Sequence, residues 1–322
     1  VLCRTNGECL LVSQYLWEQE IAHVVRRRAE DRYIPKWLAL AFRGFSGVSI
    51  RATALKERLS RLGLPDPDWV YDSLRRLSDG SRTALRVPEL RERLCSGILA
   101  DELEPEDEQC VVVSTVHRAK GLEFDTVLFL WASPTNQQEF PGEEARVLYV
   151  ALTRARDKLV RVTSPGFRGL TYDERLDRWL IKYRGWKLRQ VEVDVSDLSI
   201  QTLPGRLASP PSERMQVQDY IAERVKLGDP VTLVNVDPSG RLPNLTFYVE
   251  HNGVVIGTTN EGFSRVLLRA ISGRWRPGRI HNLRIAGLRT VVGPPDETSA
   301  VGLGDHGFWL APEISGMGLL SN

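Results

Sequence analysis

The 322 residues predict an α/β chain: a parallel-sheet domain comes first, and a smaller β-rich, barrel-like domain follows it. Three observations carry this. Over roughly the first 190 residues, short β-branched or aromatic runs ("CVVVSTV", "TVLFLW", "KLVRVTS") alternate with helical stripes, the rhythm of strand–helix–strand units. A Pro/Ser stretch, "LPGRLASPPSERM", then changes the texture. Beyond it alternating runs dominate, and Asn252-Gly253 between two of them is a strong hairpin signal. The expected division is 1–195 for the first domain, with 44–100 a helical insertion in it, 196–212 for a linker and 213–322 for the β-rich part.

The elements read in order as follows. Residues 1–43 read strand, helix, strand, helix: "VLC" is apolar, Leu10, Leu11, Tyr15 and Leu16 form a helical stripe, and "AHVVR" is extended. Residues 52–99 read as helical throughout, with Leu55, Leu59 and Leu62 near helical spacing and "LPDPD" as a break. The acidic "ADELEPEDEQ" reads as a solvated connector. Two buried-strand patterns follow, then a helix between Gly142 and Arg156 with Leu148, Ala151, Leu152 and Ala155 on one stripe. Past the linker, "PVTLVNV", "LTFYVEHNGVVIGTT" and "LRIAGLRTVVG" read as strands, "SRVLLRAI" as a helix, and the tail after Val292 as a Gly/Pro-rich segment.

Composition excludes several classes. Hydrophobic content of 42% with 26% charged residues is that of a globular chain with a sizeable core. No apolar run approaches the roughly 18 residues a membrane span needs, and no secretory leader is present, so a cytoplasmic location without membrane partners is expected. Cys3, Cys9, Cys95 and Cys110 are scattered without a CxxC pair, which predicts reduced thiols and no zinc site. A net charge of +2 argues for no nucleic-acid partner by itself. The opening "VLCRTN" lacks an initiator Met inside what reads as a strand, which suggests a fragment with its upstream half missing.

Chemistry concentrates at 113–124, "VSTVHRAKGLEF", where His117, Arg118, Lys120 and Glu123 surround Gly121 between two core-strand patterns. Loops at strand ends are where α/β proteins keep their chemistry. "VVVSTVHRAKGLEFDTVLFL" followed by "EEARVLYVALTRARDKLVRV" resembles the fifth and sixth helicase motifs of the UvrD/Rep/PcrA family of superfamily 1 DNA helicases. The opening "VLCRTNGECLLVSQYLWEQEIAHVVRR" resembles that family's fourth motif, and the likeness covers about residues 1–165.

The resemblance implies the second of two RecA-like motor domains, which sandwich ATP and Mg²⁺ between them and grip single-stranded DNA. It places Arg4 and Arg154 on the terminal phosphate as catalytic arginines, where a planar, permanently charged fork suits developing phosphoryl charge. It places Glu123 on the ribose hydroxyl, with Gly121 allowing close backbone approach. Thr115 and His117 fall on positions that touch the DNA backbone, where their donors carry no sequence information. The competing readings are ordinary ion pairs: Arg154 with Glu143 or Glu144, and Glu123 with Lys120 or Arg118.

The departures are as informative. No G-x-x-x-x-G-K-[ST] occurs in the sequence, nor a following DExx strand, so the phosphate cradle and Mg²⁺ ligands are expected on an N-terminal helicase domain, and this chain alone should be inactive. In the last third, Arg265 to Arg289 contains seven arginines and no acid, with Trp275 among them. Arg274, Trp275, Arg276 and Arg279 are therefore DNA-binding candidates, against the alternative of a solvated surface. The order of elements there is similar in pattern to HIRAN-type β-barrels that bind DNA ends. The leading expectation is the C-terminal motor domain of an ATP-dependent, 3′→5′ DNA helicase or translocase acting on single strands and duplex junctions. The alternative is a non-catalytic DNA- or protein-binding module derived from a helicase half.

Overall fold

The computed structural model describes residues 1–26, 34–78, 80–96, 111–132, 141–164, 167–183, 187–239, 241–271 and 275–322. The chain opens with β1 (Leu2–Cys3), α1 (Asn6–Glu18) and β2 (His23–Val25). A mostly helical stretch follows: β3 (Ile34–Pro35), α2 (Lys36–Phe42), β4 (Ser49–Arg51), α3 (Ala52–Arg61), α4 (Pro67–Leu77), β5 (Ala84–Arg86) and α5 (Val87–Cys95). The chain then returns through β6 (Val111–Thr115), β7 (Phe124–Ala132), α6 (Pro141–Leu152) and β8 (Ala155–Ser164). The remainder comprises β9 (Leu170–Asp173), β10 (Arg178–Tyr183), β11 (Lys187–Val193), α7 (Pro211–Arg224), β12 (Pro230–Asn235), β13 (Phe247–His251), β14 (Val254–Thr258), α8 (Glu261–Ala270), β15 (Arg279–Val292), α9 (Pro295–Ala300) and β16 (Phe308–Ser321).

Two sheets organise these elements. The first is parallel, in the order β2-β6-β1-β7-β8, with Leu2 opposite both Ser114 and Phe129. Its inner strands β1 and β6 are short and largely apolar, as strands covered on both faces are. On one face Leu2, Val127 and Phe129 pack with Val116, Ala119 and the α6 residues Val147 and Ala151. On the other, Cys3 and Val113 pack with Cys9 of α1. The start of α1 is fixed by a capping box: Thr5 Oγ1 accepts from the Glu8 N–H at 3.2 Å, and the Glu8 carboxylate accepts from the Thr5 N–H at 2.9 Å.

The second sheet is antiparallel, in the order β14-β13-β12-β15-β16-β11-β10-β9, and β3 adds to β15. Its spine is β15 against β16, two 14-residue strands paired along most of their length. Asn252 and Gly253 both have positive φ, 48° and 82°, as the two-residue turn between β13 and β14 demands.

Two expectations need correction. The stretch 52–99 is not helical throughout: between α4 and α5 lies β5, which pairs with β4. The break at "LPDPD" does fall where expected, because Asp66 accepts from the Trp69 N–H at 2.9 Å and Pro67 enters the first turn of α4. Residues 170–193, expected in the first domain, pair instead with β16 of the antiparallel sheet, since β11 lies along Val193–Gln190 opposite Gly316–Leu319. The Gly/Pro-rich tail after Val292 holds the largely buried β16.

The helical stretch also belongs with the second sheet. Leu38, Phe42, Leu55, Tyr71 and Leu74 share one core with Leu283, Ile285, Phe308 and Leu310. The Phe42 and Phe308 rings meet edge-on at 5.2 Å, worth about 0.5–1.5 kcal/mol beyond the area they bury. Thr290 donates its hydroxyl to the Pro35 carbonyl at 2.7 Å and accepts from the Ala39 N–H at 3.1 Å. The stretch 196–212 is packed as well: Leu198 and Leu203 are buried, and Asp197 pairs with Arg178. We therefore propose two bodies, 1–26 with 111–164 and 34–96 with 167–322, in place of a boundary near residue 195.

Candidate nucleotide and nucleic-acid site

The motif loop 116–123 is a crossover. It leaves β6 at one edge of the parallel sheet and enters β7 at the other, so its two ends face different surroundings. Thr115 closes β6, and its Oγ1 accepts from the Arg118 N–H at 3.3 Å. Lys120 and Leu122 donate backbone N–H groups to the His117 and Ala119 carbonyls, which makes the loop a series of tight turns. Gly121 sits at φ +87°, a left-handed conformation that favours glycine. A Cβ there would meet nothing within 4 Å, so the backbone angle, and not crowding within the chain, is what calls for glycine.

At the β6 edge lies a cleft of about 740 Å³. Arg4, Asn6, Arg26, Thr115, His117 and Arg118 line it from the parallel sheet, and Tyr172, Asp177, Arg178, Trp179, Glu192 and Asp194 face them from the second sheet. His117 is exposed, but Thr115 is only 5% exposed and its hydroxyl already serves the turn. Arg118 Nη1 donates to the Arg26 carbonyl at 3.0 Å, tying the loop to the end of β2. The two walls meet where α1 crosses β10: a Cβ on Gly7 would stand 2.7 Å from the Trp179 ring.

The far wall carries a dense set of charges. Arg178 reaches Asp194 at 3.1 Å and the almost fully buried Asp197 at 2.7 Å. Burial holds the Asp197 carboxyl up to about 7, working against the attraction of Arg178. Burial likewise pushes Glu192 up, although it accepts the Trp179 N–H at 2.9 Å.

At the opposite edge, Gly121, Glu123 and Arg154 come together. Arg154 Nη1 donates to the Leu122 carbonyl at 2.9 Å and its Nη2 to Thr153 Oγ1 at 3.0 Å, while the Arg154 carbonyl accepts from the Phe124 N–H. Glu123 is exposed beside this tether. Neither Arg118 nor Lys120 forms an ion pair with it among the described residues. The side chains of Glu143 and Glu144, the alternative partners for Arg154, lie outside the described residues.

Arg4 and Arg154 are not brought together, which corrects the expectation of a shared phosphate. Arg4 follows the end of β1 and Arg154 precedes the start of β8, and in a parallel sheet those are opposite edges. The registers Leu2–Phe129 and Phe124–Ala155 put them about eight strand residues apart, roughly 25 Å. Arg4 stands with Thr115 and His117 instead.

The C-terminal candidates separate too. Arg274 lies outside the described residues. Trp275 donates Nε1–H to Asn322 Oδ1 at 2.7 Å, Arg276 is partly buried, and Arg279 is exposed at the start of β15. From the same arginine run, Arg289 is bound to the buried Glu313 at 3.4 Å and Arg284 to the Gly228 carbonyl at 3.2 Å, which leaves them structural. Arg26, Tyr172 and Trp179, all lining the cleft, carry no signal in the sequence beyond their charge or aromaticity.

The parallel sheet thus carries His117 of its crossover loop at one edge and Arg154 with Glu123 at the other. Residues 64–164 match the family profile of the UvrD-like helicase C-terminal domain. This part of the chain is accordingly a C-terminal domain of the UvrD-like superfamily 1 helicase type. The match takes in α4 to β8 and stops short of both the opening motif and the second sheet beyond β8. No described helix is long and apolar enough to cross a membrane.

Proposed function

We propose that this chain supplies the second motor half of an ATP-dependent DNA helicase or translocase, with the family's 3′→5′ polarity. The observation that carries the reading is the crossover loop. One eight-residue segment joins the exposed imidazole of His117 to the edge where Leu122 is hydrogen-bonded to Arg154. A displacement at either end is transmitted along a short, turn-braced path.

At the nucleotide edge, Arg154 faces the terminal phosphate and Glu123 the ribose hydroxyl, a guanidinium and a carboxylate at one strand edge that suit those groups. ATP bound with Mg²⁺ supplies the phosphoryl-transfer chemistry, its metal and triphosphate held chiefly by the N-terminal helicase domain. Arg154 keeps its tether to Leu122 until a phosphate competes for the guanidinium, so nucleotide binding and loop position are coupled. At the other edge His117, with Arg4, Arg26 and Arg118 around the same cleft, holds the phosphates of single-stranded DNA near a duplex junction. Arg4 acts there and not on the nucleotide, and Thr115 acts by shaping the turn.

His117→Ala in the protein carrying both motor halves is the test. Single-strand stimulation of ATP hydrolysis should fall about tenfold, while basal hydrolysis stays largely intact. Equal loss of basal and stimulated rates would make the loop a structural element only.

A further inference from the structure

A cleft of about 560 Å³ opens at the far end of the antiparallel sheet, outside both the family match and the motif loop. Its walls are the end of β10, the start of β11 and the end of β16, with Trp275 set against them. Tyr183 is 50% exposed, Lys187 and Arg189 are exposed, and Leu188 and Leu320 form an apolar floor. Trp275 is held at its edge by the Nε1–H bond to Asn322, which fixes the plane of the ring. Arg279, paired in register with the lining residue Ser321, extends the cationic side. No side-chain carboxylate lies among the described lining residues.

We propose that this cleft is a second binding site, for single-stranded nucleic acid, with bases on Tyr183 and Trp275 and phosphates on Lys187, Arg189 and Arg279. The chemistry selects that occupant. Cations alone would take any polyanion, and aromatics alone any apolar group. Fixed aromatic surfaces rimmed by cations are the combination that non-sequence-specific strand binders use, since every base has a π-face. Duplex DNA keeps its bases stacked inside and offers the aromatics nothing. The site uses no residue of 111–156, so it stands or falls separately from the motor reading.

The test is binding of the 322-residue chain to labelled dT15, to a 15-mer abasic strand with the same phosphates, and to dTMP, at 50 and 200 mM salt. The intact chain should prefer dT15 to the abasic strand by about tenfold. Tyr183→Leu, at a half-exposed position, should remove most of that preference without weakening abasic binding. Trp275→Leu should act in the same direction. Lys187→Gln with Arg189→Gln should weaken both strands and flatten the log–log salt slope by about 1.4, at about 0.7 per phosphate. Repeating the series in a His117→Ala background separates this cleft from the motif loop. Equal affinity for dT15 and abasic strand, dT15 binding no tighter than dTMP, or unchanged dT15 binding in the Tyr183 and Lys187/Arg189 variants would each overturn the proposal.

Discussion

Arg154→Ala, in the protein carrying both motor halves, is expected to lower kcat for ATP hydrolysis by about 10³-fold or more, equivalent to roughly 4 kcal/mol of transition-state stabilisation. DNA affinity should change little, because Arg154 stands about 25 Å from the His117 edge. Arg154→Lys should not restore the rate. An ammonium is a compact point charge and lacks the planar fork with which a guanidinium meets a phosphoryl oxygen. The same substitutions report on the tether: losing the 2.9 Å bond to Leu122 should cost about 1 kcal/mol in stability, far less than the kinetic loss. A variant with near-normal kcat and only that small stability loss would make Arg154 a brace between α6 and the loop.

The largest stability effect is expected at Arg178, on the wall of the cleft. It is the cation for Asp197, whose side chain is 2% exposed, and it also reaches Asp194. Arg178→Met leaves the Asp197 carboxylate buried without its partner, which typically costs 3–5 kcal/mol. Adding Asp197→Asn should recover most of the loss, since the amide retains an acceptor for the Asp194 N–H without a charge. The pH dependence has a definite sign. Burial holds the folded-state carboxyl up to about 7, above its ordinary value of 3.8, so the folded state binds a proton more tightly than the unfolded chain. That contribution is fully present below about pH 4 and is lost as pH rises through 7. Arg178→Met should therefore regain stability when moved from pH 7.5 to 5.5, and Arg178→Met with Asp197→Asn should regain much less. Thermal or denaturant melts at the two pH values decide it. A loss under 1 kcal/mol with no acid recovery would mean that water reaches Asp197.

How much of this was readable in the residues differs from element to element. The strands β6 and β7 contain the apolar runs "VVV" and "VLFLW", and such runs stand out. The turn at Asn252-Gly253 was legible because two successive positive φ angles admit few residue types. By contrast β9–β11 carry Tyr172, Lys187 and Arg189 toward solvent, so their alternation is diluted by polar residues and their sheet partner is unreadable. β16 was obscured by Gly316 and Gly318, which look like turn residues. A Cβ on Gly316 would stand 2.6 Å from the Asn282 carbonyl, and one on Gly318 2.5 Å from the Ile280 side chain, so close strand approach is what calls for them.

The separation of Arg4 from Arg154 was legible in principle. A residue that ends one parallel strand and a residue that begins another cannot share an edge. Motif matching carries no strand direction, and that information was lost in the match. The docking of α2–α5 on β15 and β16 was not legible, because an apolar stripe such as Leu55, Leu59 and Leu62 says that a face is buried but not against what.

The central claim is that this chain works as half of a motor, and ATP hydrolysis by the purified 322 residues, alone and joined to a P-loop motor domain of the same helicase class, tests it most directly. The account predicts background hydrolysis from the chain alone, with or without single-stranded DNA. Joined to the P-loop domain, it predicts turnover that rises at least tenfold with single-stranded DNA and collapses with Arg154→Ala. Strand-stimulated hydrolysis by the chain alone, or a joined protein whose hydrolysis ignores both DNA and Arg154, would contradict it.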